Sequence, residues 1–309
     1  MAVAYMHRAG FIGLDIRAAL KEGLARLRAA DVPSHTLAAE LLLMHALGRD
    51  RVWLYTHSED PLDPDAAEKY GALIARRATG EPTQYITGKQ EFWGLEFEVT
   101  PAVLIPRPET EHVVEVALER LGARGIKLDM ATGEPSPALR VADVGTGSGC
   151  LAVSLAHELP HGEIFATDIS AEALDVARCN AARHRVSDRI HFHQTDLLEV
   201  LLHESRLFDL IVSNPPYVAR NEASSLQREV RNHEPEAALF GGPTGIENYA
   251  RLIEQAGALL SPRGILVLEL GHGAADAVRK MFHLQRDWAN VSVTNDLAGI
   301  PRVLAVERV

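Results

Sequence analysis

The chain has 309 residues, 47% hydrophobic and 24% charged, which is typical of a globular protein with a buried core rather than a disordered or fibrous one. At about 150 residues per domain, this length predicts roughly two domains. The 31 basic and 42 acidic residues give a net charge of −11, which disfavours passive coating of nucleic acid or of an anionic membrane. The two cysteines form no CxxC pair, and no signal peptide or span-length apolar run is visible, so we expect a cytoplasmic protein without a disulfide framework.

Helical periodicity runs through the first part of the chain. Apolar residues recur every three or four positions after Asp15, and the same spacing continues up to Gly48. Asp63 followed by Pro64 is typical of a helix cap with proline at the first helical position. We therefore predict a small N-terminal helical bundle over residues 11–88.

The apolar period then changes to two. Leu95, Phe97 and Val99 alternate with glutamates, which predicts a β-hairpin that links two domains within residues 89–105. Because the hairpin follows the helical bundle directly, the second domain is predicted to cover the remaining residues, 106–309.

Short apolar strands alternate with helix-length connections in the second domain. This pattern predicts an α/β fold, a doubly wound and mostly parallel sheet with helices on both faces. Residues 1–10 and 122–137 lack such a pattern and are expected to be a lead-in and an exposed loop. The last two strands are expected to form an antiparallel edge hairpin. The strands are predicted at 141–144, 164–167, 190–193, 210–212, 265–268, 291–294 and 303–306.

A glycine-rich turn, from Asp143 to Gly149, follows the first strand of this sheet. Such a turn brings the backbone close to a ligand and can aim amide donors at it. Its G-x-G-x-G spacing differs from the G-x-G-x-x-G of dinucleotide-binding proteins, and it lacks the Lys-Ser or Lys-Thr pair of a P-loop. The residues predicted to contact a cofactor here are Gly145, Thr146, Gly147, Ser148 and Gly149.

Two aspartates follow neighbouring strands of the predicted sheet. Asp168 ends the second strand, where a carboxylate can accept hydrogen bonds from both hydroxyls of a ribose. Asp196 follows the third strand, where it can accept from an adenine amino group, although aspartate is also common as a helix cap.

The tetrapeptide Asn214-Pro215-Pro216-Tyr217 follows the fourth strand, at the same edge of the sheet as the glycine-rich turn. The prolines remove two N–H donors and leave carbonyl acceptors beside the Asn214 side-chain oxygen. A planar NH₂ group, from an amide or from adenine, can give one hydrogen to each acceptor, with its nitrogen facing a methyl donor. Tyr217 can stack on the flat substrate. The alternative is a rigid proline turn that ends a strand.

These motifs together resemble the HemK/PrmC family, and the resemblance covers the chain from about Asp15 onward. It is carried by the helical N-terminal region, Phe92-Trp93-Gly94-Leu95, Ile105 to Glu111, Asp143 to Gly149, Asn214 to Tyr217 and the stretch from Glu229 to Gly245. It implies a Rossmann-like methyltransferase fold with S-adenosyl-L-methionine as donor and S-adenosyl-L-homocysteine as product. The implied acceptor is the side-chain amide nitrogen, N5, of the glutamine in the Gly-Gly-Gln motif of class-1 peptide release factors.

The resemblance also assigns roles by position. Gly145 to Gly149 would surround the methionine moiety and Asp168 the ribose. Asn214 would contact both cofactor and substrate, with Pro215, Pro216 and Tyr217 completing the glutamine pocket. Leu197 stands where some members carry an aromatic residue beside the adenine, and it can still cover that ring by apolar contact. The N-terminal bundle is expected to help hold the release factor.

Three other functions remain open from the sequence. A ribosomal-protein glutamine methyltransferase is the nearest, and we expect it to differ over Arg107 to Glu111. An adenine-N6 DNA or RNA methyltransferase uses the same tetrapeptide, but the negative charge and the lack of a Lys/Arg stripe disfavour it. A non-catalytic adaptor that binds cofactor is disfavoured by the intact tetrapeptide.

Several other polar residues are weighed separately. His191 and His193 share a strand face but lack a third ligand, so no metal site is predicted. Cys150 is expected to pack rather than react, since no histidine is placed as its base. Arg107 and Glu111 either pair in solvent or lie near the cofactor cleft.

Overall fold

The computed structural model describes residues 9–125, 138–204, 206–283 and 287–309. The predictions for residues 1–8 and 126–137 fall outside these ranges. The chain divides into two compact units, Met1–Gly88 with Gln227–His233, and Lys89–Leu226 with Glu234–Val309. Within the described ranges, no helix combines the length and the apolar character needed to cross a membrane.

The first unit is a bundle of helices whose ends follow local capping chemistry. The Asp15 carboxylate accepts from the amide of Ala18 at 2.6 Å, and Asp63 caps the helix that Pro64 begins. The helices are α1 (Ile16–Ala29), α2 (His35–Leu47), α3 (Arg51–Thr56), α4 (Pro64–Ala78) and α5 (Thr83–Thr87), with a further short helix at Arg228–His233.

Aromatic and charged pairs hold this bundle together. Phe11 meets the Tyr70 ring edge-on at 4.9 Å between centroids, and the Tyr70 hydroxyl donates to the Ala39 carbonyl at 3.2 Å. Arg77 is buried and pairs with Glu229 of the short helix. This pair explains why the segment from Gln227 to His233 belongs to the helical unit.

The second unit begins with the predicted hairpin, β1 (Lys89–Phe92) paired with β2 (Leu95–Glu98). Phe92 and Phe97 bury their rings against each other in the core of this unit. The buried Asn180 side chain holds the hairpin by accepting from the Glu98 amide at 2.7 Å and donating to the Glu98 carbonyl at 3.0 Å.

A seven-stranded sheet forms the centre of the second unit. Its strands are β3 (Arg140–Val144), β4 (Glu163–Asp168), β5 (Ile190–Gln194), β6 (Phe208–Ser213), β9 (Leu260–Glu269), β10 (Trp288–Asn295) and β11 (Pro301–Arg308), and β7 (Val218–Ala219) forms a separate pair with β8 (Phe240–Gly242). The strands of the sheet follow the order β10-β11-β9-β6-β3-β4-β5. Strands β9, β6, β3, β4 and β5 are parallel, whereas β11 is antiparallel to both of its neighbours. The predicted α/β class and terminal antiparallel hairpin are therefore confirmed.

Helices cover both faces of the sheet, as alternating side chains of each strand require. These helices are α6 (Glu111–Ala123), α7 (Cys150–Glu158), α8 (Ala171–Arg183), α9 (Glu247–Leu259) and α10 (Ala275–His283). On β3, Val141 faces one apolar cluster with Leu151 of α7, whereas Ala142 faces another with Tyr249 and Leu252 of α9.

The carboxyl ends of the parallel strands meet at one edge of the sheet. The Ser213 hydroxyl at the end of β6 donates to the Val144 carbonyl at the end of β3 over 2.7 Å, which ties two of these ends together. Loops that follow parallel strands at this edge are the usual place for a ligand site in such folds.

Candidate active site

A cavity of about 410 Å³ opens at this edge of the sheet and lies wholly within the second unit. This volume falls within the range of small-molecule sites, about 300–1,000 Å³. Segments that follow β3, β4, β5 and β6 line it, together with residues 101–107 and Thr110. It is the natural candidate for the site that the sequence motifs predict.

The glycine-rich turn lines the cavity through residues 145–148, and three of its amides donate to groups within the protein. The amides of Gly145 and Thr146 both donate to the Thr167 carbonyl of β4 at 2.9 Å, and the amide of Gly147 donates to Asp168 at 2.9 Å. Fixing the turn against β4 uses these three donors internally, so they are not the amides that would bind a ligand.

Gly149 is the last residue of this turn, and it packs against Ala177 of α8. Its φ of +81° is left-handed, and a Cβ there would lie 3.1 Å from the Cβ of Ala177. A larger residue would therefore be strained twice, by backbone conformation and by contact. Gly149 allows the turn and α8 to pack closely, and it does not line the cavity itself.

Asp143 lies beneath the turn and is fully buried. Its Oδ2 accepts from the Thr146 hydroxyl at 2.6 Å and from the Ala152 amide at 3.0 Å, whereas its Oδ1 has no hydrogen-bond partner among the described residues. Burial raises the pKa of this carboxyl to about 7, against the lowering effect of the two hydrogen bonds.

We expect Asp143→Asn to remove part of the pH dependence of stability. A carboxyl whose folded pKa lies above its unfolded value stabilises the fold below the unfolded pKa, and this contribution disappears as pH rises to about 7. The variant carboxamide stays neutral, so between pH 5 and pH 8 the parent should lose about 1–3 kcal/mol more unfolding free energy than the variant. Urea unfolding at both pH values measures this difference. Parallel pH curves would contradict it.

Asp168 stands at the cavity wall at the end of β4, where the sequence predicts it. It is half-buried, and its two oxygens accept from the amides of Gly147 and Ser170, each at 2.9 Å. Burial raises the pKa of this carboxyl, and the amide hydrogen bonds oppose that shift. Each oxygen retains a further lone pair, so the carboxylate can also accept from a ligand.

Asp196 and Leu197 line the same cavity beyond β5. Asp196 pairs with Arg251 of α9 at 2.6 Å, a contact that the sequence analysis missed. Leu197 adopts a φ of +49° and packs partly against the apolar cluster beneath it. Asp196 and Leu197 thus place one charged and one apolar group at neighbouring positions of the cavity wall.

The tetrapeptide divides between cavity and core. Asn214 and Pro216 line the cavity, whereas Pro215 is buried and Tyr217 packs partly against the apolar cluster of α9. The Pro216 carbonyl accepts from the Asn248 side chain at 3.2 Å. Tyr217 is therefore placed beside the cavity rather than on its lining.

Two polar side chains stand behind Asn214, and the sequence analysis assigned neither. The Asn214 Nδ2 donates to the Thr110 hydroxyl at 3.1 Å, and that hydroxyl donates to the Glu269 carboxylate at 2.6 Å. Thr110 and Glu269 are buried, and Glu269 ends β9. The sequence offers one signal for Glu269, an acidic residue at the end of an apolar strand, which is also the signal that identifies Asp168.

The residues that the sequence left open are also placed. Arg107 lines the cavity and pairs with the buried Glu234, whereas Glu111 accepts from the Trp93 amide at 2.8 Å, so Arg107 and Glu111 do not form a solvent pair. Burial, with the nearby Asp143, raises the pKa of the Cys150 thiol to about 12. Within the described ranges, no cluster of three or more His, Cys, Asp or Glu could hold a metal ion.

Comparisons with known proteins identify the family of this chain. A family model described as "PrmC N-terminal domain" matches residues 18–88, and one described as "Methyltransferase small domain" matches residues 127–234. A release factor glutamine methyltransferase of Koribacter versatilis is 46% identical over 94% of this chain and 98% of its own length. The chain belongs to the release factor glutamine methyltransferase family. The family resemblance drawn from the sequence motifs is thereby confirmed.

Other members and more distant structures extend the comparison. The family member of Chlorobaculum tepidum is 44% identical over 93% of this chain and 95% of its own length. The solved hMettl16 catalytic domain in complex with MAT2A 3'UTR hairpin 1 matches with a TM-score of 0.54 and 17% identity, covering 75% of this chain and 79% of that one. At that identity the solved structure supports the fold alone, which is a methyltransferase fold of the Rossmann-like kind.

Proposed function

We propose that this chain transfers a methyl group from S-adenosyl-L-methionine to the side-chain amide nitrogen of the Gly-Gly-Gln glutamine in class-1 peptide release factors. The observation that carries the proposal is the position of Asn214. Its side chain lies on the wall of the cavity that the glycine-rich turn and Asp168 also line, in a chain of the release factor glutamine methyltransferase family. Such a reaction belongs in the cytoplasm, where translation terminates.

The cavity wall fits this cofactor. The amides of Gly145, Thr146 and Gly147 are used internally, so they are not available to the phosphates of a nucleotide. Asp168 can accept from a ribose diol and Leu197 offers an apolar surface for a base. The lining carries the acidic residues Asp168, Glu172 and Asp196 and the arginines Arg107 and Arg251, each of which pairs with a carboxylate, so its balance of charge is negative and suits a ligand that carries positive charge. We therefore assign residues 145–148, Asp168, Asp196, Leu197 and Asn214 to cofactor binding, and Gly149 supports the turn by packing against α8.

When bound, the cofactor supplies a methyl group on a positively charged sulfur. The chain's own contribution is to hold the acceptor amide. The Asn214 Oδ1 on the cavity wall accepts one hydrogen of the substrate NH₂ group, and a backbone carbonyl of the two prolines that follow accepts the other. Both acceptors interact more strongly as positive charge grows on the nitrogen, and they lower the barrier for that reason.

No strong general base is needed in this scheme. The amide nitrogen becomes acidic as it gains the methyl group, so its proton can leave to water. Pro215 and Pro216 keep the backbone extended and cannot compete as N–H donors. Tyr217 completes the pocket from behind, where its hydroxyl reaches Glu269 at 3.4 Å.

The deciding experiment is transfer of radiolabelled methyl from S-adenosyl-L-methionine to a purified release factor. A matched factor with the Gly-Gly-Gln glutamine replaced by alanine is the control, and ribosomal protein and duplex DNA are competing acceptors. We expect label on the intact factor alone. Equal label on the replaced factor, or label only on ribosomal protein or DNA, would overturn the proposed acceptor.

Asp168→Ala should weaken cofactor binding more than any other property. The change removes both carboxylate oxygens, so we expect the dissociation constant for S-adenosyl-L-methionine to rise at least about tenfold in calorimetry. The matched variant Asp168→Asn retains one oxygen and should show a smaller rise. Unchanged affinity in both variants would mean that Asp168 does not contact the cofactor.

A further inference from the structure

A buried hydrogen-bonded chain joins Asn214 to the end of β9. Asn214 Nδ2 contacts Thr110 Oγ1 at 3.1 Å, and Thr110 Oγ1 contacts Glu269 Oε2 at 2.6 Å. Thr110 is 3% exposed and Glu269 is 1% exposed, so water does not compete for the bond between them. Of the three, only Asn214 and Thr110 line the cavity, and Glu269 lies behind them.

The direction of each bond in this chain follows from donor and acceptor counts. An ionised carboxylate only accepts, so the single hydrogen of the Thr110 hydroxyl points to Glu269. The hydroxyl oxygen then has only lone pairs to offer Asn214, which must present its NH₂ group to Thr110. The Asn214 oxygen is consequently turned away from Thr110 and left for the cavity.

We propose that Glu269, acting through Thr110, is a positioning residue that fixes which end of the Asn214 carboxamide faces the substrate. An asparagine side chain can rotate by a half turn with little change in shape, and the rotated form would present NH₂ to a substrate NH₂ group, donor against donor. The hydrogen bonds from Asn214 to Thr110 and from Thr110 to Glu269, which together form a relay, exclude the rotated form. The inference rests on the proposed function for its substrate, but the orientation of Asn214 can be tested without any substrate.

Glu269 also contacts the other end of the tetrapeptide. Its Oε1 accepts from the Tyr217 hydroxyl at 3.4 Å, and its backbone carbonyl accepts from the Tyr249 hydroxyl at 2.9 Å. One carboxylate thus contacts Tyr217 directly and Asn214 through Thr110. This arrangement couples the two ends of the tetrapeptide to a single buried charge.

The charge state of Glu269 adds a pH dependence to the relay. Burial raises the pKa of this carboxyl to about 7, while the Thr110 hydrogen bond and Arg302 oppose the shift. Titratable groups that face it from the surrounding elements are Tyr217, Tyr249, Arg302 and Glu109. When Glu269 is protonated it can itself donate to Thr110, which frees the hydroxyl hydrogen and removes the constraint on Asn214. Activity should therefore fall as pH decreases through about 7.

Thr110→Val removes the hydroxyl at nearly constant volume, and Thr110→Ser restores it. We expect Thr110→Val to lower kcat about 10- to 100-fold, with the KM for the release factor and the affinity for S-adenosyl-L-methionine changed less than about threefold. Thr110→Ser should stay within about threefold of the parent kcat. Equal losses in both variants, or parent-like kcat in Thr110→Val, would overturn the relay.

Glu269→Gln tests the charge, because its carboxamide cannot ionise and its NH₂ group can donate to Thr110 as the protonated acid can. We expect its kcat to stay near the low value that the parent shows below about pH 7 and to lose the acidic limb of the pH profile. An acidic limb unchanged in this variant would overturn the role of the Glu269 charge.

A spectroscopic measurement separates this inference from the proposed function. The side-chain NH₂ signals of Asn214, assigned by their absence in Asn214→Asp, should be protected from hydrogen exchange in the parent and in Thr110→Ser. They should lose that protection in Thr110→Val. Equal protection in all three proteins would overturn the orientation even if the methyl transfer is confirmed. Loss of protection in Thr110→Val alone would support the proposed orientation of Asn214 even if the methyl acceptor proves to be another molecule.

Discussion

Asn214→Ala is expected to lower kcat by about 100- to 1,000-fold, as the loss of one preorganised polar group at a reacting centre commonly does. The side chain lines the cavity, and its oxygen is the acceptor proposed to face the substrate nitrogen. Its removal takes away an interaction that strengthens in the transition state, so the effect should appear in kcat rather than in cofactor affinity. Single-turnover methyl transfer with saturating cofactor measures it.

Two variants control this prediction. Asn214→Asp retains an acceptor at the same position but loses the NH₂ group that contacts Thr110, so its activity should lie between parent and alanine variant. Asn295→Ala changes an exposed asparagine of β10 and should leave kcat unaltered. Turnover of Asn214→Ala within about threefold of the parent would remove Asn214 from the catalytic scheme.

Gly245→Ala is expected to have the second largest effect, because this glycine makes room for the backbone of the tetrapeptide. Its φ is +81°, and a Cβ would lie 2.3 Å from the Tyr217 carbonyl oxygen and 3.1 Å from the Ala219 nitrogen. Backbone atoms cannot move aside as a flexible side chain can, so the tetrapeptide must shift. We expect kcat to fall at least about tenfold and the unfolding free energy to fall by about 2–4 kcal/mol.

Gly273→Ala is the matched control. Its φ of +76° is nearly the same, but a Cβ there would have no neighbour within 4 Å. The Gly273→Ala variant should therefore lose only about 1 kcal/mol of unfolding free energy, the cost of a left-handed alanine, and its kcat should stay near the parent value. Equal losses in the two variants, measured by urea unfolding and methyl transfer, would mean that backbone strain and not displacement of the tetrapeptide is responsible.

Local chemistry made much of the fold predictable. Asp15 and the Asp63–Pro64 pair begin helices where the sequence indicates, because a cap involves only residues within one turn. Strand β9 is longer than predicted and starts at Leu260, which pairs with Phe208 of β6. That extension depends on a partner strand far away in the chain, and no local pattern announces it.

The candidate site shows the same limit. Asp168 and Asn214 were found because each directly follows an apolar strand. The use of the turn's amides by Thr167 could not be predicted, because it depends on β3 and β4 being neighbours. Glu269 carried the right signal at a strand end, but its link to Asn214 passes through Thr110, a residue of a separate short 3-10 helix.

Arg107 and Glu111 illustrate how a local pattern can mislead. Their spacing suits one face of a helix, yet α6 begins only at Glu111 and Arg107 lies before it. Each residue instead finds a partner far away in sequence, Glu234 for Arg107 and the Trp93 amide for Glu111. Helical spacing is informative only where both residues belong to the same helix.

The cavity wall combines segments that lie far apart in the chain, from residues 101–107 through Asp168 and Asn214 to Arg251. No short contiguous fragment contains the wall, so a ligand of this cavity binds only molecules in which the loops after β3, β4, β5 and β6 are brought together. By thermodynamic linkage, such a ligand at 100 times its dissociation constant adds about 2.7 kcal/mol to the stability of the folded unit. The cellular supply of that ligand would therefore help set how long the protein survives unfolding and proteolysis, in addition to how fast it works.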